Sequence, residues 1–143
     1  MPRVGFGTAG LGDRTQLATL SALRCGYRLV DSAQAREWYR EDMVGAAVAE
    51  SKVPREKLFL VSKIHPRHLG FDATTAQLAV SLRELRTHFL DLLLLHYPEC
   101  WGDLCNGQRP EGTWQDSWRA LEAMQRAGTV RSSAFCYGRS SPL

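Results

Sequence analysis

Three successive apolar runs of this sequence each lead into a side chain that can take part in acid–base chemistry. Tyr27–Asp31 ends in an aspartate, Leu58–Lys63 ends in a lysine, and Leu90–Leu95 is followed by His96. Such runs are typical of strands buried on both faces of a parallel sheet. The carboxyl ends of parallel strands lie at one rim, where α/β proteins place their chemistry. We therefore expect an acid, a lysine and an imidazole to meet at that rim.

This set of side chains can protonate the oxygen of a carbonyl group while hydride arrives at its carbon. A lysine beside a tyrosine hydroxyl favours the phenolate and lowers the phenol pKa from about 10. A carboxylate holds the lysine in place, and a neutral histidine donates a hydrogen bond to the carbonyl oxygen. Asp31, Lys63 and His96 supply three of these groups, and Tyr39 is the candidate for the phenol. Taken singly, the three are equally compatible with a helix cap or surface acid, a solvated lysine and a structural histidine.

Two other patterns leave alternatives open. Gly5–Gly10 fits the dinucleotide-binding pattern G-x-G-x-x-G, and Asp31 lies about where a ribose-binding acid is expected. The residues Leu11–Arg14 separate this turn from the next helical pattern, so glycines that permit a tight turn explain it at least as well. Cys100 and Cys105, near His96, could hold a metal, although their spacing is looser than in usual zinc pairs.

The elements that carry these residues alternate between short strands and amphipathic helices. Thr113, with Asp116 at the capping-box position, should begin the fourth helix, and Asp72 should cap the third. Four βα units in succession predict an α/β fold with a right-handed parallel sheet. The expected strands begin at Val4, Tyr27, Leu58, Asp91 and Val130, and the expected helices begin at Thr15, Glu41, Asp72 and Thr113.

Composition narrows the class of protein. The chain has 143 residues, 44% of them hydrophobic, and a formal net charge of +3. These values fit one compact domain with scattered basic residues, which argues against nucleic acid as the main partner. No stretch approaches a transmembrane span, and the first strand leaves no room for a signal peptide, so no membrane partner is expected. Four cysteines without a Cys-x-x-Cys pair suit a reducing compartment, and we expect a cytoplasmic protein.

Several motifs resemble the aldo-keto reductases, NADPH-dependent enzymes built on a TIM (β/α)8 barrel. Gly26–Ala33 resembles their Gly-Tyr-Arg-x-Ile-Asp-Thr-Ala signature, and 91–98 is similar to their Asp-Leu-x-Leu-Ile-His-Trp-Pro motif. The residues 4–8 and 58–63 look like the glycine motif of the first strand and the strand of the catalytic lysine. Residues 112–122 match the helix that follows. The resemblance implies reduction of aldehydes and ketones, with Asp31, Tyr39, Lys63 and His96 as catalytic residues. It also implies that Gly7, Thr8 and Asp31 contact NADPH. Apart from the resemblance, Trp38 and Trp101 follow strand ends, so they are candidates to line an apolar substrate pocket, although tryptophans mostly pack in cores or loops.

The sequence departs from the family pattern in two places. The family's tyrosine follows the aspartate by five positions, where this chain has Arg36, so a shifted loop must present Tyr39. A TIM barrel uses roughly 250 residues, so we expect its amino-terminal half, truncated after about four units. Residues 1–132 should form this partial domain, and 133–143 a divergent tail without a strand. The family's grip on the cofactor phosphates lies largely in the other half, so NADPH binding by this chain is doubtful.

Two functional hypotheses follow. One is a carbonyl reductase acting on a small-molecule substrate. The other is a truncated, catalytically inactive isoform or fragment with a binding or regulatory role. Half a barrel also exposes two sheet edges, which makes self-association possible.

Overall fold

A five-stranded parallel sheet forms the centre of the molecule, and its strands follow one another in chain order. The structure is a computed structural model that describes residues 1–136. The strands are β1 (Gly5–Gly7), β2 (Leu29–Asp31), β3 (Phe59–Ile64), β4 (Leu92–Leu95) and β5 (Ser133–Phe135). The helices between them are α1 (Thr15–Arg24), α2 (Glu41–Ser51), α3 (Phe71–Glu84) and α4 (Trp114–Arg126). This is the parallel α/β architecture that the sequence predicts, with four βα units and a fifth strand.

The two faces of the sheet differ in how well they are covered. Because side chains alternate along a strand, Val30, Leu60 and Leu93 share the face on which the helices pack, and they are almost completely buried. The opposite face is covered less completely: Val61 and Lys63 are buried, but Leu29, Phe59, Leu92 and Leu94 are only partly buried. Asp31 and Lys63 belong to this second face by the same alternation. These chemistry-bearing side chains therefore lie on the less covered face of the sheet.

The starts of the two long helices α3 and α4 show one correct and one wrong cap. The side chain of Thr113 accepts from the Asp116 N–H, and Asp116 accepts from the Thr113 N–H, which is the predicted capping box. The prediction for α3 is wrong, because Gly70 rather than Asp72 precedes the helix. Gly70 has a φ of +123° and packs against the backbone of Gly112, where a Cβ would lie 3.1 Å from the Gly112 nitrogen. Close backbone packing, rather than a side-chain cap, starts α3.

The fifth strand begins later than predicted. Val130 forms only an isolated bridge with Leu90, and the strand pairs with β4 over Ser133–Phe135. The expectation that the segment after residue 132 has no strand is therefore wrong at its start. The Phe135 ring stacks on Trp118 of α4, with centroids 5.3 Å apart. This contact holds the strand in place although its sequence lacks the apolar pattern of a buried strand. Residues 137–143 of the predicted tail lie outside the described residues.

Helices α2 and α3 approach each other closely at a glycine. A Cβ placed on Gly45 would lie 2.1 Å from the carbonyl oxygen of Glu84 and 2.9 Å from the Cα of Leu85. The absence of a side chain at this position lets the backbone of α2 rest directly on the end of α3. Within residues 1–136, no helix is long and apolar enough to cross a membrane.

An ionic cluster closes the opposite end of the sheet, where β3 and β4 begin. The Asp91 carboxylate accepts hydrogen bonds from Arg55 at 2.7 Å, from Arg131 at 3.0 Å and from the Leu60 N–H at 2.9 Å. Both guanidinium groups also lie over the ring of Phe89, at 3.9 and 4.1 Å from its centroid. The cluster ties the starts of two strands to the segment before β5.

Candidate active site

The carboxyl ends of β2 and β3 bring Asp31 and Lys63 into direct contact. The Lys63 ammonium donates to Asp31 Oδ2 at 2.7 Å and to the Ser32 carbonyl at 2.9 Å. The Lys63 side chain is only 7% exposed, whereas that of Asp31 is 36% exposed. A buried ammonium group needs such partners, because an unpaired buried charge is strongly destabilising. The pair predicted from the strand ends is therefore present in the structure.

The loop between β2 and α2 places Tyr39 beside this pair. The Lys63 nitrogen lies 5.0 Å from the centroid of the Tyr39 ring, and the ring of His96 is 6.2 Å from it. The loop folds back on itself, because the N–H groups of Trp38 and Tyr39 both donate to the carbonyl of Ala35. The structure thus assembles all four side chains that the sequence nominates for acid–base chemistry.

Arg36, which occupies the family's tyrosine position, points to a different part of the molecule. Its guanidinium group pairs with Glu84 of α3 and with Asp42 of α2. More than half of the Arg36 side chain is exposed. Tyr39, and not Arg36, therefore lies next to Lys63.

His96 follows β4 and is held in an environment that keeps it neutral. Its backbone N–H donates to the carbonyl of Ile64 at 3.0 Å, and its ring stacks on Tyr97 with centroids 4.7 Å apart. Burial and the charge of Lys63 together lower the pKa of His96 to about 4, against the opposing charges of Asp31 and Glu37. A neutral imidazole at pH 7 can donate one hydrogen bond to a carbonyl oxygen.

Gly7 and Thr8, predicted to contact a cofactor, lie beside Asp31 at the end of β1. Gly7 pairs with Asp31 in the sheet. Thr8 is fully buried, and both its N–H and its hydroxyl donate to the Asp31 carbonyl, at 3.0 and 2.9 Å. The side chain of Thr8 therefore fixes the backbone of Asp31. The turn Gly5–Gly10 is separated from α1 by a short 3-10 helix, so it lacks the helix connection of a dinucleotide-binding turn.

Four basic residues at the carboxyl ends of β2 and β3 are already paired. Lys63 lies at the end of β3, Arg36 and Arg40 follow β2, Arg67 follows β3, and each is paired with at least one carboxylate. A phosphate group needs several oriented donors that are not already neutralised. The donor set fits the reacting carbonyl and the adjacent end of a nicotinamide, but these basic residues do not fit the cofactor phosphates.

Cys100 and Cys105 form a disulfide in the loop between β4 and α4. A short 3-10 helix, Gly102–Cys105, brings their Cα atoms to 5.7 Å. A disulfide leaves no thiolate to ligate a metal, so it does not support the metal alternative for this pair. Disulfides are also uncommon in a reducing compartment, so the bond does not favour the compartment expected from the cysteine spacing. Trp101, which precedes the helix, is partly exposed, and Trp38 in the opposite loop is 62% exposed.

One polar group beside the site was missed by the sequence reasoning. His65, two residues after Lys63, is buried, and its Nδ1 accepts from Arg67 Nε at 3.0 Å. Arg67 also donates to Glu37, which belongs to the loop of Tyr39. Burial and the charge of Arg67 together lower the pKa of His65 to about 4. The position of His65, just past the end of the same strand as Lys63, was the available signal.

Comparison with known proteins gives one consistent result. Residues 3–139 match the profile described as "Aldo/keto reductase family". An aldo-keto reductase of Mycolicibacterium vanbaalenii is 37% identical over 133 residues, which is 92% of this chain and 44% of that protein. The glyoxal reductase of Bacillus subtilis is 32% identical over 134 residues, again 92% of this chain and 44% of the relative.

The fold gives the same answer as the sequence. The crystal structure of a Bombyx mori aldo-keto reductase in complex with NADP superposes with a TM-score of 0.81 and 26% identity. The match covers 94% of this chain and 46% of the silkworm protein. The chain therefore spans about half the length of the proteins that it matches.

Proposed function

Because this chain belongs to the aldo/keto reductase family, we propose that its site reduces the carbonyl group of small aldehydes or ketones to an alcohol, with NADPH as the hydride donor. Two similar proteins support the substrate class and the cofactor, since one is a glyoxal reductase and another was crystallised with NADP. The observation that carries the proposal is the position of Lys63, bonded to Asp31 and 5.0 Å from the ring of Tyr39.

The residues of this chain account for the proton half of the reaction. Tyr39 donates its phenolic proton to the carbonyl oxygen, and the nearby charge of Lys63 stabilises the phenolate that remains. Asp31 holds the Lys63 ammonium at this position. Neutral His96 donates a hydrogen bond to the same oxygen, which orients the carbonyl and stabilises negative charge as it develops.

NADPH, when bound, supplies the hydride that adds to the carbonyl carbon. Gly7 and Asp31, at the ends of β1 and β2, would lie beside its reacting end. The phosphate groups would need donors other than Arg36, Arg40, Lys63 and Arg67, which are already paired. We therefore propose that the 143-residue chain alone neither binds NADPH tightly nor reduces carbonyl compounds.

The second candidate is a non-catalytic chain that acts through binding. Two observations favour it: the chain covers about half of its relatives, and Leu29, Phe59 and Leu92 are only partly buried on the second face of the sheet. An uncovered apolar face tends to associate with another surface, so self-association is expected in this case too.

A fluorescence titration tests the part of the proposal that concerns the chain alone. NADPH added to the purified 143-residue chain should give no saturable change at micromolar concentrations, and light scattering should reveal association. The physical reason is that the paired basic residues leave too few phosphate donors. A micromolar dissociation constant measured on a monodisperse sample would overturn this prediction.

A hybrid protein tests the site itself. We define the reductase hybrid as residues 1–136 of this chain followed by the part of the Bacillus subtilis glyoxal reductase that lies beyond the matched region. If the site is competent, the hybrid should reduce glyoxal with NADPH, while the 143-residue chain should not. A folded hybrid that binds NADPH without turnover would reject the reductase proposal and favour the binding role.

A further inference from the structure

The loop that carries Tyr39 is anchored at both ends to one side chain. At its start, the Gln34 amide donates to the Ser81 hydroxyl at 2.9 Å and to the Gln77 carbonyl at 3.0 Å. At its end, Glu41 accepts a hydrogen bond from the same Ser81 hydroxyl at 2.9 Å. Ser81 lies in the last turn of α3 and is completely buried. The two ends of the loop are therefore joined through a single hydroxyl group.

The second oxygen of Glu41 connects the loop to the strand of the lysine. Glu41 Oε1 accepts from the hydroxyl of Ser62 at 2.5 Å. Ser62 immediately precedes Lys63 on β3, and alternation along the strand places the two side chains on opposite faces of the sheet. Glu41 is 3% exposed, although it is the first residue of a helix and only two residues from Tyr39. A carboxyl group this deeply buried has to be hydrogen-bonded, and both of its oxygens are.

We propose that Glu41 is a positioning residue that sets the place of Tyr39 relative to Lys63, by holding the loop 32–40 to β3 and α3 at the same time. The inference rests on the proposed function for the importance of that placement. Neither Ser62 nor Ser81 contacts the reacting groups in this arrangement. Glu41 acts through these two serines, because their hydrogen bonds attach the end of the loop to β3 and to α3.

The state of Glu41 should depend on pH in the neutral range. Burial raises the pKa of Glu41 to about 7, while the hydrogen bonds from Ser62 and Ser81 oppose the rise. Among the charged neighbours, Glu84 of α3 raises this pKa and Arg36 of the loop lowers it. The ionised carboxylate accepts from both serines, whereas the protonated group carries a hydrogen that one of the two contacts must accommodate. Protonation of Glu41 therefore alters the hydrogen bonds that attach the loop to β3 and α3.

Fluorine NMR of the 143-residue chain labelled with 5-fluorotryptophan tests this directly. Trp38 lies in the loop next to Tyr39, and a Trp38→Phe variant identifies its resonance among the four tryptophans. Between pH 5.5 and 8.5, the Trp38 resonance should shift with a midpoint near 7, while those of Trp114 and Trp118 stay in place. Burial lowers the pKa values of His65 and His96 to about 4, so neither produces this transition.

Three variants decide the outcome. Glu41→Gln keeps the shape of the side chain but cannot ionise, and it should abolish the shift of Trp38. Ser81→Ala removes the hydroxyl that Gln34 and Glu41 share, and it should reduce the pH-dependent shift of the Trp38 resonance. The matched control, Glu84→Gln, should keep the transition and lower its midpoint, because a charge that raises the Glu41 pKa is lost. A Trp38 resonance that ignores pH, or that titrates unchanged in Glu41→Gln, would overturn the proposal.

Kinetics separate this inference from the proposed function. In the reductase hybrid, Glu41→Gln should lower kcat on the order of tenfold with KM unchanged, because misplacing a reacting group affects the chemical step. If the hybrid has no turnover at all, the proposed function fails while the NMR result still decides the role of Glu41. An unchanged kcat in an active Glu41→Gln hybrid would show that the hydrogen bonds of Glu41 do not position Tyr39.

Discussion

Two carboxylates, one at each end of the same sheet, hold basic side chains in very different ways. Asp91, at the start of β4, is 3% exposed and accepts from two arginines and one backbone N–H. Asp31, at the end of β2, is 36% exposed and accepts from Lys63. Asp91 is saturated by partners from the chain itself, whereas Asp31 stands beside a tyrosine and a neutral histidine on an open face.

The difference teaches that an ion pair between strands is not by itself a sign of catalysis. The Asp91 cluster joins three segments and places two guanidinium groups over Phe89, and its carboxylate is bonded to groups of the chain itself. The pair of Asp31 and Lys63 is at the carboxyl rim, where a substrate can reach the adjacent Tyr39. Position on the sheet and remaining access distinguish a structural role from the proposed chemical one.

Substitutions at the open rim should produce the largest effect. In the reductase hybrid, Tyr39→Phe should lower turnover by about 10²–10⁴-fold, because it removes only the hydroxyl that donates the proton. Lys63→Met should abolish turnover as well and leave the fold intact. Steady-state kinetics and circular dichroism provide the measurements. Turnover within tenfold of the parent in Lys63→Met would reject its role, and activity in Tyr39→Phe would make His96 the first alternative acid.

The saturated cluster should respond in stability instead. Asp91→Ala should lower the free energy of unfolding by about 3–5 kcal/mol, because it leaves the buried part of Arg55 without its counter-ion. Asp31→Ala leaves the buried Lys63 ammonium with the Ser32 carbonyl as a partner, and it should cost less, about 1–3 kcal/mol, because water can reach the position of the half-exposed carboxylate. Urea unfolding of the 143-residue chain measures both. Equal losses for the two substitutions would mean that the two ends of the sheet do not differ as we describe.

The buried Glu41 should make stability depend on pH in a predictable direction. Its pKa is about 7 in the folded chain and 4.5 without the burial, so the folded state keeps a proton that the unfolded state loses. The stabilisation is complete below pH 4.5, declines as pH rises toward 7, and is lost above 7. Relative to Glu41→Gln, the parent should thus lose on the order of 3 kcal/mol between pH 4.5 and 8.

Comparing the two proteins at each pH isolates Glu41 from the histidines. Burial lowers the pKa values of His65 and His96 to about 4, so these residues make stability rise between pH 4 and 6.5 in the parent and the variant alike. If the difference in unfolding free energy between the parent and Glu41→Gln stays constant from pH 4.5 to 8, the raised pKa does not belong to Glu41.

The smallest effect should come from the exposed arm of the Asp91 cluster. Arg131 is 55% exposed, so its ion pair and its contact with Phe89 are largely screened by water. Arg131→Ala should therefore cost about 1 kcal/mol or less, against the several kcal/mol of Asp91→Ala. A loss as large as that of Asp91→Ala, again in urea, would show that the cluster acts as one unit.

Much of this architecture could be predicted from sequence because its signals are local. Apolar runs that end in Asp31, Lys63 or His96 gave the strand ends, and the spacing of Thr113 and Asp116 gave a helix start. The start of α3 could not be predicted, since Gly70 is chosen by its packing against Gly112, far away in the sequence. The strand Ser133–Phe135 was missed for the same reason, because a ring of α4 supplies the apolar partner for Phe135.

The residues of the candidate site also differ in whether a local sequence signal could reveal them. Tyr39 was nominated in place of Arg36 from the chemistry that the site requires; its ring lies 5.0 Å from Lys63 Nζ, and its catalytic role stays a prediction. The buried Glu41 was overlooked, since an acid at the first turn of a helix resembles an ordinary surface residue. Its hydrogen bonds come from Ser62 and Ser81, which no pattern in the sequence connects to it.

The close approach at Gly45 limits how far this chain can diverge. Even alanine would put its methyl group 2.1 Å from the Glu84 carbonyl, where ordinary contacts begin at about 3.4 Å. Helix α2 would have to retreat by roughly 1 Å, and it would carry Glu41 with it. Selection for proton donation by Tyr39 would therefore also act on Gly45, which has no contact with a substrate and cannot carry a side chain.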